Sequence, residues 1–136
     1  MTKVVIDTSV LVSGVLKEHG APAAVLDLVC HGQIIWYVSP AVIAEYKEVL
    51  ARSKFSFDPD RLQRVLRSLY HAALVVPTAT RTESSHESDN RFYECAHRAQ
   101  ADFIVTGNLK HFTKDLPPTR IVNARELLAL LGNDLG

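Results

Sequence analysis

The sequence predicts an α/β fold in which a mainly parallel sheet of about four or five strands has helices on both faces. Short apolar runs alternate with segments of helical periodicity along the chain, and this alternation is typical of parallel sheets. Two of the runs end in polar residues: Val4–Ile6 leads into Asp7, and Phe103–Val105 leads into Thr106. Ligands of open α/β sheets bind at the carboxyl ends of strands, so these two ends are candidates for a functional crevice.

The length and composition predict one globular domain spanning residues 1–136. Hydrophobic residues make up 47% and charged residues 22% of the chain, which separates it from the disordered and membrane classes. No apolar stretch approaches the roughly 18 residues of a membrane-spanning helix, and the N-terminus does not resemble a signal peptide. We therefore expect a cytoplasmic protein that does not contact the membrane.

The charge balance restricts how a nucleic acid could bind. Fifteen basic and fifteen acidic residues give a formal net charge of zero. There is no global field to hold a polyanion, so any nucleic-acid binding must depend on local basic patches. The two cysteines, Cys30 and Cys95, lie among apolar neighbours in predicted helices, and we expect both to be buried, reduced thiols.

The elements after the first strand have recognisable start and stop signals. A helix is predicted over Ala21–His31, where apolar residues recur at helical spacing and Gly32 follows. Ser39–Pro40 and Asp58–Pro59 each join an N-cap residue to a proline suited to the first helical position, so each should begin a helix. The predicted ranges are a strand over Gln33–Val38, a helix from Pro40 to about Arg52, and a helix from Pro59 to about His71.

The second half of the chain continues the alternation. A short strand is predicted over Leu74–Pro77, and the polar stretch Thr78–Ser88 is the one long loop expected. Asp89–Ala101 has apolar and small residues at helical spacing, which places Asp89 at or just before the first turn of a helix. The remaining elements are a strand over Asp102–Val105, a strand over Arg120–Val122, and a helix from Asn123 whose capping partner is Glu126.

Three acidic residues lie where they could support catalysis. Asp7 follows the first strand, Glu45 lies in the helix after the second, and Asp89 begins the helix before the fourth. Each has a structural alternative. Glu45 borders the core-facing stripe of its helix and could form a salt bridge, while Asp89 could cap its helix and complement the dipole. The segment at Asp7 could serve the next helix through caps at Thr8 and Ser9.

In a right-handed parallel fold these three acids can converge at one sheet edge. Clustered carboxylates repel one another unless a cation neutralises them, so the cluster predicts a hard divalent metal, Mg²⁺ or Mn²⁺. Such a metal activates water and stabilises charge on a phosphoryl oxygen, which is the chemistry of phosphodiester hydrolysis. The chain has no phosphate-binding glycine loop, zinc-type Cys/His spacing or nucleophile-elbow serine to indicate another chemistry.

Four segments follow one another in a recognisable order: Val4–Leu11, Ser39–Glu45, Asp89–Ala96 and Ala101–Asn108. Together they resemble the motifs of the PIN domain nuclease family, and the resemblance covers nearly the whole chain. The resemblance implies a three-layer α/β/α fold and Mg²⁺- or Mn²⁺-dependent ribonuclease activity on RNA. It also implies a VapC-like toxin of a toxin–antitoxin pair, with a cognate antitoxin protein as partner and a homodimer as its assembly.

The resemblance also implies roles for individual residues. Asp7, Glu45 and Asp89 match the catalytic, metal-binding acids. Asn108 falls on a fourth position that is acidic in many members, and its amide oxygen can ligate a metal without adding charge, so a second metal would bind more weakly or only with substrate. Thr8, Ser9 and Thr106 match supporting hydroxyl positions. Candidates for contact with the RNA backbone are Arg91, His97, Lys110 and His111.

A metal-dependent endoribonuclease is the leading hypothesis, and two other functions stay open. Asn108 in place of an acid is compatible with a catalytically weak PIN-like module that binds RNA or protein without cutting. A phospho-acceptor signalling domain shares a doubly wound sheet with an acidic pocket. That chemistry needs a paired acid after the first strand, whereas Thr8 follows Asp7.

Overall fold

The computed structural model describes residues 1–52, 56–78, 87–113 and 116–135. Within these ranges the chain forms five strands and six α-helices, which alternate as predicted. The strands are β1 (Lys3–Ile6), β2 (Ile35–Val38), β3 (Ala73–Leu74), β4 (Phe103–Val105) and β5 (Arg120–Val122). The helices are α1 (Thr8–Leu16), α2 (Ala21–Cys30), α3 (Pro40–Leu50), α4 (Pro59–Tyr70), α5 (Glu87–Ala99) and α6 (Ala124–Leu135).

All five strands are parallel, in the order β3-β2-β1-β4-β5. The predicted α/β fold class is therefore confirmed. The chain builds outward from β1 through β2 to β3, then returns to add β4 and β5 on the other side. This reversal makes the boundary between β1 and β4 the topological switch point, where open α/β sheets bind ligands. In the register of this pair, Ile6 lies opposite Val105, so the two strands end together.

The core surrounds β1, the central strand. Val4, Val5 and Ile6 are completely buried, as expected for a parallel strand covered on both faces. Helix α5 packs against β1, β2 and β4, and α2 contacts α1, α4 and α6. Cys95 lies in the core as predicted. Cys30 is only half-buried, and its Sγ accepts a hydrogen bond from Ser68 Oγ at 3.1 Å.

Three of the predicted helix starts are confirmed by their caps. Ser39 Oγ accepts from Val42 N at 3.2 Å, and Asp58 Oδ2 accepts from Arg61 N at 3.2 Å. At α6 the capping is reciprocal. Asn123 N donates to Glu126 Oε1 at 2.9 Å, and Glu126 N donates to Asn123 Oδ1 at 2.7 Å.

The second and third strands are shorter than predicted. Gln33 was expected to begin β2, but its N–H donates to Leu28 O at 2.9 Å and closes the end of α2. Gly32, with φ of 71°, supplies the left-handed turn required there. The predicted strand Leu74–Pro77 is observed as Ala73–Leu74. Its partner β2 gives way to α3 after Val38, so pairing ends with Val75 N on Val38 O at 2.8 Å.

Helix α5 begins earlier than the sequence indicates. It starts at Glu87, so Asp89 is the third residue of the helix and not its cap. Most of the predicted loop Thr78–Ser88, residues 79–86, lies outside the described residues. A 3₁₀ turn at Leu109–His111, which the sequence analysis did not predict, follows β4. None of the helices in the described ranges is long and apolar enough to cross a membrane.

Candidate active site

Asp7 lies at the switch point between β1 and β4. Its N–H donates to Val105 O at 2.8 Å, which extends the pairing of the two strands by one residue. Asp7 is also the N-cap residue of α1 by position, although its side chain caps no N–H of that helix. The side chain is therefore available at the strand edge, and the residue as a whole is only 6% exposed.

Two hydroxyl groups hold the Asp7 carboxylate. Ser9 Oγ and Thr106 Oγ1 each donate to Asp7 Oδ2 at 2.7 Å. Each hydroxyl oxygen in turn accepts a backbone N–H, from Gly107 at 3.1 Å for Ser9 and from Asn108 at 3.0 Å for Thr106. Both hydroxyl bonds end on Oδ2, so neither occupies Oδ1. The carboxylate is thus fixed in orientation by residues from both sides of the switch point.

Glu45 lies beside this group on α3. Thr8 Oγ1 donates to Glu45 Oε2, and Arg91 Nη1 lies 3.4 Å from Glu45 Oε1. The hydroxyl of the buried Tyr46 donates to Ile6 O, which links α3 to the residue before Asp7. Burial raises the pKa of Tyr46 well above its usual value, so the hydroxyl stays protonated and remains a donor.

Asp89 supplies the third carboxylate. It is 8% exposed on the first turn of α5. Its Oδ2 lies 3.8 Å from His111 Nδ1 in the 3₁₀ turn after β4. Asp89 therefore lies near the same edge of the sheet as Asp7.

The three carboxylates interact electrostatically. Burial is the largest influence on Glu45 and raises its pKa, and the charges of Asp7 and Asp89 raise it further. The hydrogen bond from Thr8 and the charge of Arg91 lower the pKa of Glu45 without cancelling the effect of burial. Such a site favours a cation, because added positive charge removes the mutual repulsion of the acids.

The chemistry of the donor set fits a hard divalent cation. Carboxylate oxygens are the ligands preferred by Mg²⁺ and Mn²⁺, and Asp7, Glu45 and Asp89 provide three of them. Among the residues that the structure describes, however, no three His, Cys, Asp or Glu side chains form a group that could hold a metal ion as they stand. Glu45 and Asp89 instead face the protein's own basic groups, Arg91 and His111.

The other predicted residues are distributed as follows. Asn108 is exposed after β4, and its backbone N–H rather than its amide is engaged with Thr106. Lys110 is exposed on the 3₁₀ turn, and His97 is exposed near the end of α5. Thr8 and Ser9 do not cap α1 with their side chains. They donate to Glu45 and Asp7 instead.

Two contacts that shape the site were not predicted from the sequence. The first is the bond from the Tyr46 hydroxyl to Ile6 O, for which the only signal is that a buried tyrosine needs a hydrogen-bond partner. Arg61, 7% exposed, donates from Nε to Gly14 O at 2.8 Å and thereby joins α4 to α1. An arginine in the otherwise amphipathic α4 gives no sequence signal that it is buried.

Comparison with known proteins gives the family of the chain. A family model described as PIN domain matches residues 3–110. The uncharacterized protein MJ1680 of Methanocaldococcus jannaschii is 29% identical over 110 residues, which cover 78% of this chain and 70% of that protein.

A solved structure has a similar fold. The crystal structure of VapBC2 from Rickettsia felis, bound to a DNA fragment from their promoter, matches with a TM-score of 0.62 and 19% identity. The match covers 90% of this chain and 98% of the chain in that structure. At this identity the likeness concerns the fold alone. The family model, by contrast, covers most of the chain and includes Asp7, Glu45 and Asp89, and the protein therefore belongs to the PIN domain family.

Proposed function

We propose that this protein is a Mg²⁺- or Mn²⁺-dependent endoribonuclease that hydrolyses phosphodiester bonds of RNA. The observation that carries the proposal is the position of Asp7, held by two hydroxyl groups at the switch point beside two further acids. The charges of Asp7 and Asp89 both act on Glu45, so the three carboxylates form one electrostatic unit. Carboxylate oxygens are ligands that a hard divalent cation such as Mg²⁺ prefers.

The residues would divide the work as follows. Asp7, Glu45 and Asp89 would hold the cation, and Ser9 and Thr106 would keep Asp7 oriented for it. A bound divalent cation would supply positive charge beside the scissile phosphate and make water a better nucleophile.

Arg91 and Asn108 have more conditional roles. The Arg91 side chain is 30% exposed beside Glu45. It can therefore contact a phosphate once a bound cation neutralises the Glu45 carboxylate. Asn108 contributes an amide oxygen but no charge. We therefore expect one well-bound cation, with a second bound more weakly or only together with substrate.

The setting of this activity is also proposed. The structural likeness to a VapBC2 complex supports a VapC-like toxin that is held silent by an antitoxin protein. We further propose a homodimer that acts in the cytoplasm, where RNA is available. A short reading frame directly upstream of the gene that encodes a small DNA-binding protein would support the antitoxin.

The first test is cleavage of an end-labelled, structured RNA by the purified protein in Mn²⁺, in Mg²⁺ and with chelator. We expect cleavage with either metal and none with chelator. Asp7→Asn should abolish cleavage while the fold is retained, because the amide oxygen still accepts from Ser9 and Thr106 while one negative charge is lost. Circular dichroism and a thermal melt check the fold of the variant. Undiminished cleavage by Asp7→Asn would falsify the assignment.

A second candidate function is a PIN domain that binds RNA or protein without cutting. Two observations favour this function. Among the described residues, no three His, Cys, Asp or Glu side chains are arranged to hold a metal ion as they stand, and Asn108 is neutral. Calorimetric titration with Mn²⁺ separates the two functions. Saturable binding that disappears in Asp7→Asn supports the nuclease, whereas no binding at millimolar Mn²⁺ supports the inert module.

A further inference from the structure

A cleft of about 650 Å³ adjoins the candidate active site, and neither Glu45 nor Asp89 is among its lining residues. Its walls come from three separate segments: α1 with its connection to the start of α2, the residues after β4, and Asn123 with the first residues of α6. Ser9 and Thr106, whose hydroxyl groups bond to Asp7, also line this cleft. The cleft therefore begins one side chain away from the Asp7 carboxylate.

The charge of the cleft is opposite to that of the site. Lys17, His19 and Arg125 line it, and none of its lining residues among those described is acidic. Lys17 and Arg125 are both exposed, and the acid beside Lys17, Glu18, is exposed but does not line the cleft. Glu126, the acid next to Arg125, accepts from Asn123 N within the α6 cap. Although the chain has zero net charge, the lining of this cleft is locally basic, and the cleft lies beside the cluster of carboxylates.

We propose that this cleft, hereafter the basic cleft, binds the backbone phosphates of single-stranded RNA next to the scissile bond. The inference rests on the proposed function, because that function identifies the polyanion as RNA. Asp7, Glu45 and Asp89 repel the phosphates of an RNA strand that lies across them. The contacts that hold this RNA must therefore be made by groups beside the acids. Lys17 and Arg125 supply charge-assisted donors at that position, and Ser13 and Asn123 supply neutral polar groups.

The test compares two double variants with the same loss of charge. Lys17→Gln/Arg125→Gln removes both fixed cations of the basic cleft. Lys3→Gln/Arg120→Gln is the matched control, because Lys3 and Arg120 begin β1 and β5 and so lie at the opposite edge of the parallel sheet. The probe is a short fluorescein-labelled single-stranded RNA, and its affinity is measured by anisotropy in chelator, where cleavage is not expected.

We expect the basic-cleft variant to bind the RNA about 25-fold more weakly in about 0.1 M salt, since each phosphate contact to a single strand contributes about fivefold there. The slope of log affinity against log salt should become shallower by about 1.4 for the two lost contacts. The control variant should match the wild type in both respects. Thermal melts check that both variants are folded; Lys17, Arg120 and Arg125 are exposed, whereas Lys3 is half-buried over the ring of Tyr37.

The outcomes separate this proposal from the nuclease proposal. A selective loss of affinity in the basic-cleft variant supports the subsite even if no protein cuts RNA in Mn²⁺. Equal affinities of the two double variants overturn the subsite even if the wild type cuts efficiently. Two further probes are a mononucleotide and an oligoglutamate peptide. If binding of either probe depends on Lys17 and Arg125 while binding of the RNA does not, the cleft is a site for that probe and the proposal is overturned.

Discussion

Thr106 is the residue through which the two halves of the sheet control the orientation of Asp7. It is completely buried, follows β4, and donates to Asp7 at the end of β1. Its hydroxyl oxygen also accepts from Asn108 N, so the hydroxyl hydrogen is committed to the carboxylate. Thr106 is therefore a positioning residue, because it acts on the cation and substrate only through Asp7.

Replacing Thr106 with valine, which has nearly the same shape, should weaken Mn²⁺ binding and RNA cleavage by about 10- to 100-fold, the usual cost of losing a group that orients a metal ligand. Thr106→Ser keeps the hydroxyl and should restore most of both. Calorimetry gives the Mn²⁺ affinity, and the end-labelled RNA assay gives the rate. A purely structural role would instead lower the thermal stability of Thr106→Val and leave its Mn²⁺ affinity unchanged.

At this scale the sequence predicted the positions of the acids better than their partners. Asp7 could be placed because an acid directly after a β-branched run must lie at a strand end. The partners of Glu45 could not, because Thr8 and Arg91 are distant in sequence and meet it only once α1, α3 and α5 have packed. The interpretation of Arg91 as an RNA contact also took no account of its ion pair with Glu45.

Among the elements, α1 and α2 approach each other closely enough to require a glycine. A Cβ on Gly14 would lie 2.5 Å from Leu26 Cδ1 and 3.0 Å from Pro22 O. Leu26 is 1% exposed, so it has little room to move. Gly14 O also accepts from the buried Arg61, which adds α4 to the same contact. The position of α1, and with it Ser9, depends on this packing.

Gly14→Ala should lower the free energy of unfolding by about 1–2 kcal/mol, because overpacking outweighs the helix propensity gained from alanine. The matched control is Gly132→Ala in α6, where an added Cβ meets nothing within 4 Å. That change should stabilise the protein by up to about 1 kcal/mol. Urea denaturation monitored by circular dichroism measures both. Equal stabilisation by the two substitutions would show that α1 and α2 do not pack this tightly.

The elements also differ in how far local sequence determines them. Helices α3, α4 and α6 begin where their caps predict, because a cap is a contact between residues three apart. Strand β3 is short because its pairing partner β2 ends where α3 begins. The basic cleft depends on three segments distant in sequence, so only the folded chain brings Lys17 and Arg125 to the same cleft.

At the scale of the whole molecule, the acidic cluster affects the stability of the fold. A carboxylate whose folded pKa is raised binds its proton more tightly in the folded state than in the unfolded state. Its contribution therefore favours folding below the unfolded pKa, and that benefit is lost as the pH rises through the raised pKa. Glu45 has a raised pKa, caused first by burial, so at neutral pH its charge opposes folding.

Glu45→Gln should therefore unfold at a higher temperature than the wild type at pH 7 in chelator, because glutamine still accepts from Thr8 but bears no charge. The difference should shrink as the pH falls toward the unfolded pKa of about 4.5. Glu48→Gln, at an exposed position of α3, is the control and should change stability by no more than about 0.5 kcal/mol.

Mn²⁺ should reverse the order of thermal stability of the wild type and Glu45→Gln. A cation bound only to the folded wild type at ten times its Kd adds about 1.4 kcal/mol, whereas Glu45→Gln has lost a ligand. Thermal melts over a pH series, with and without Mn²⁺, measure both effects. A wild type that is the more stable protein in chelator at pH 7 would show that Arg91 fully compensates the buried charge and that the site has no electrostatic need of a metal.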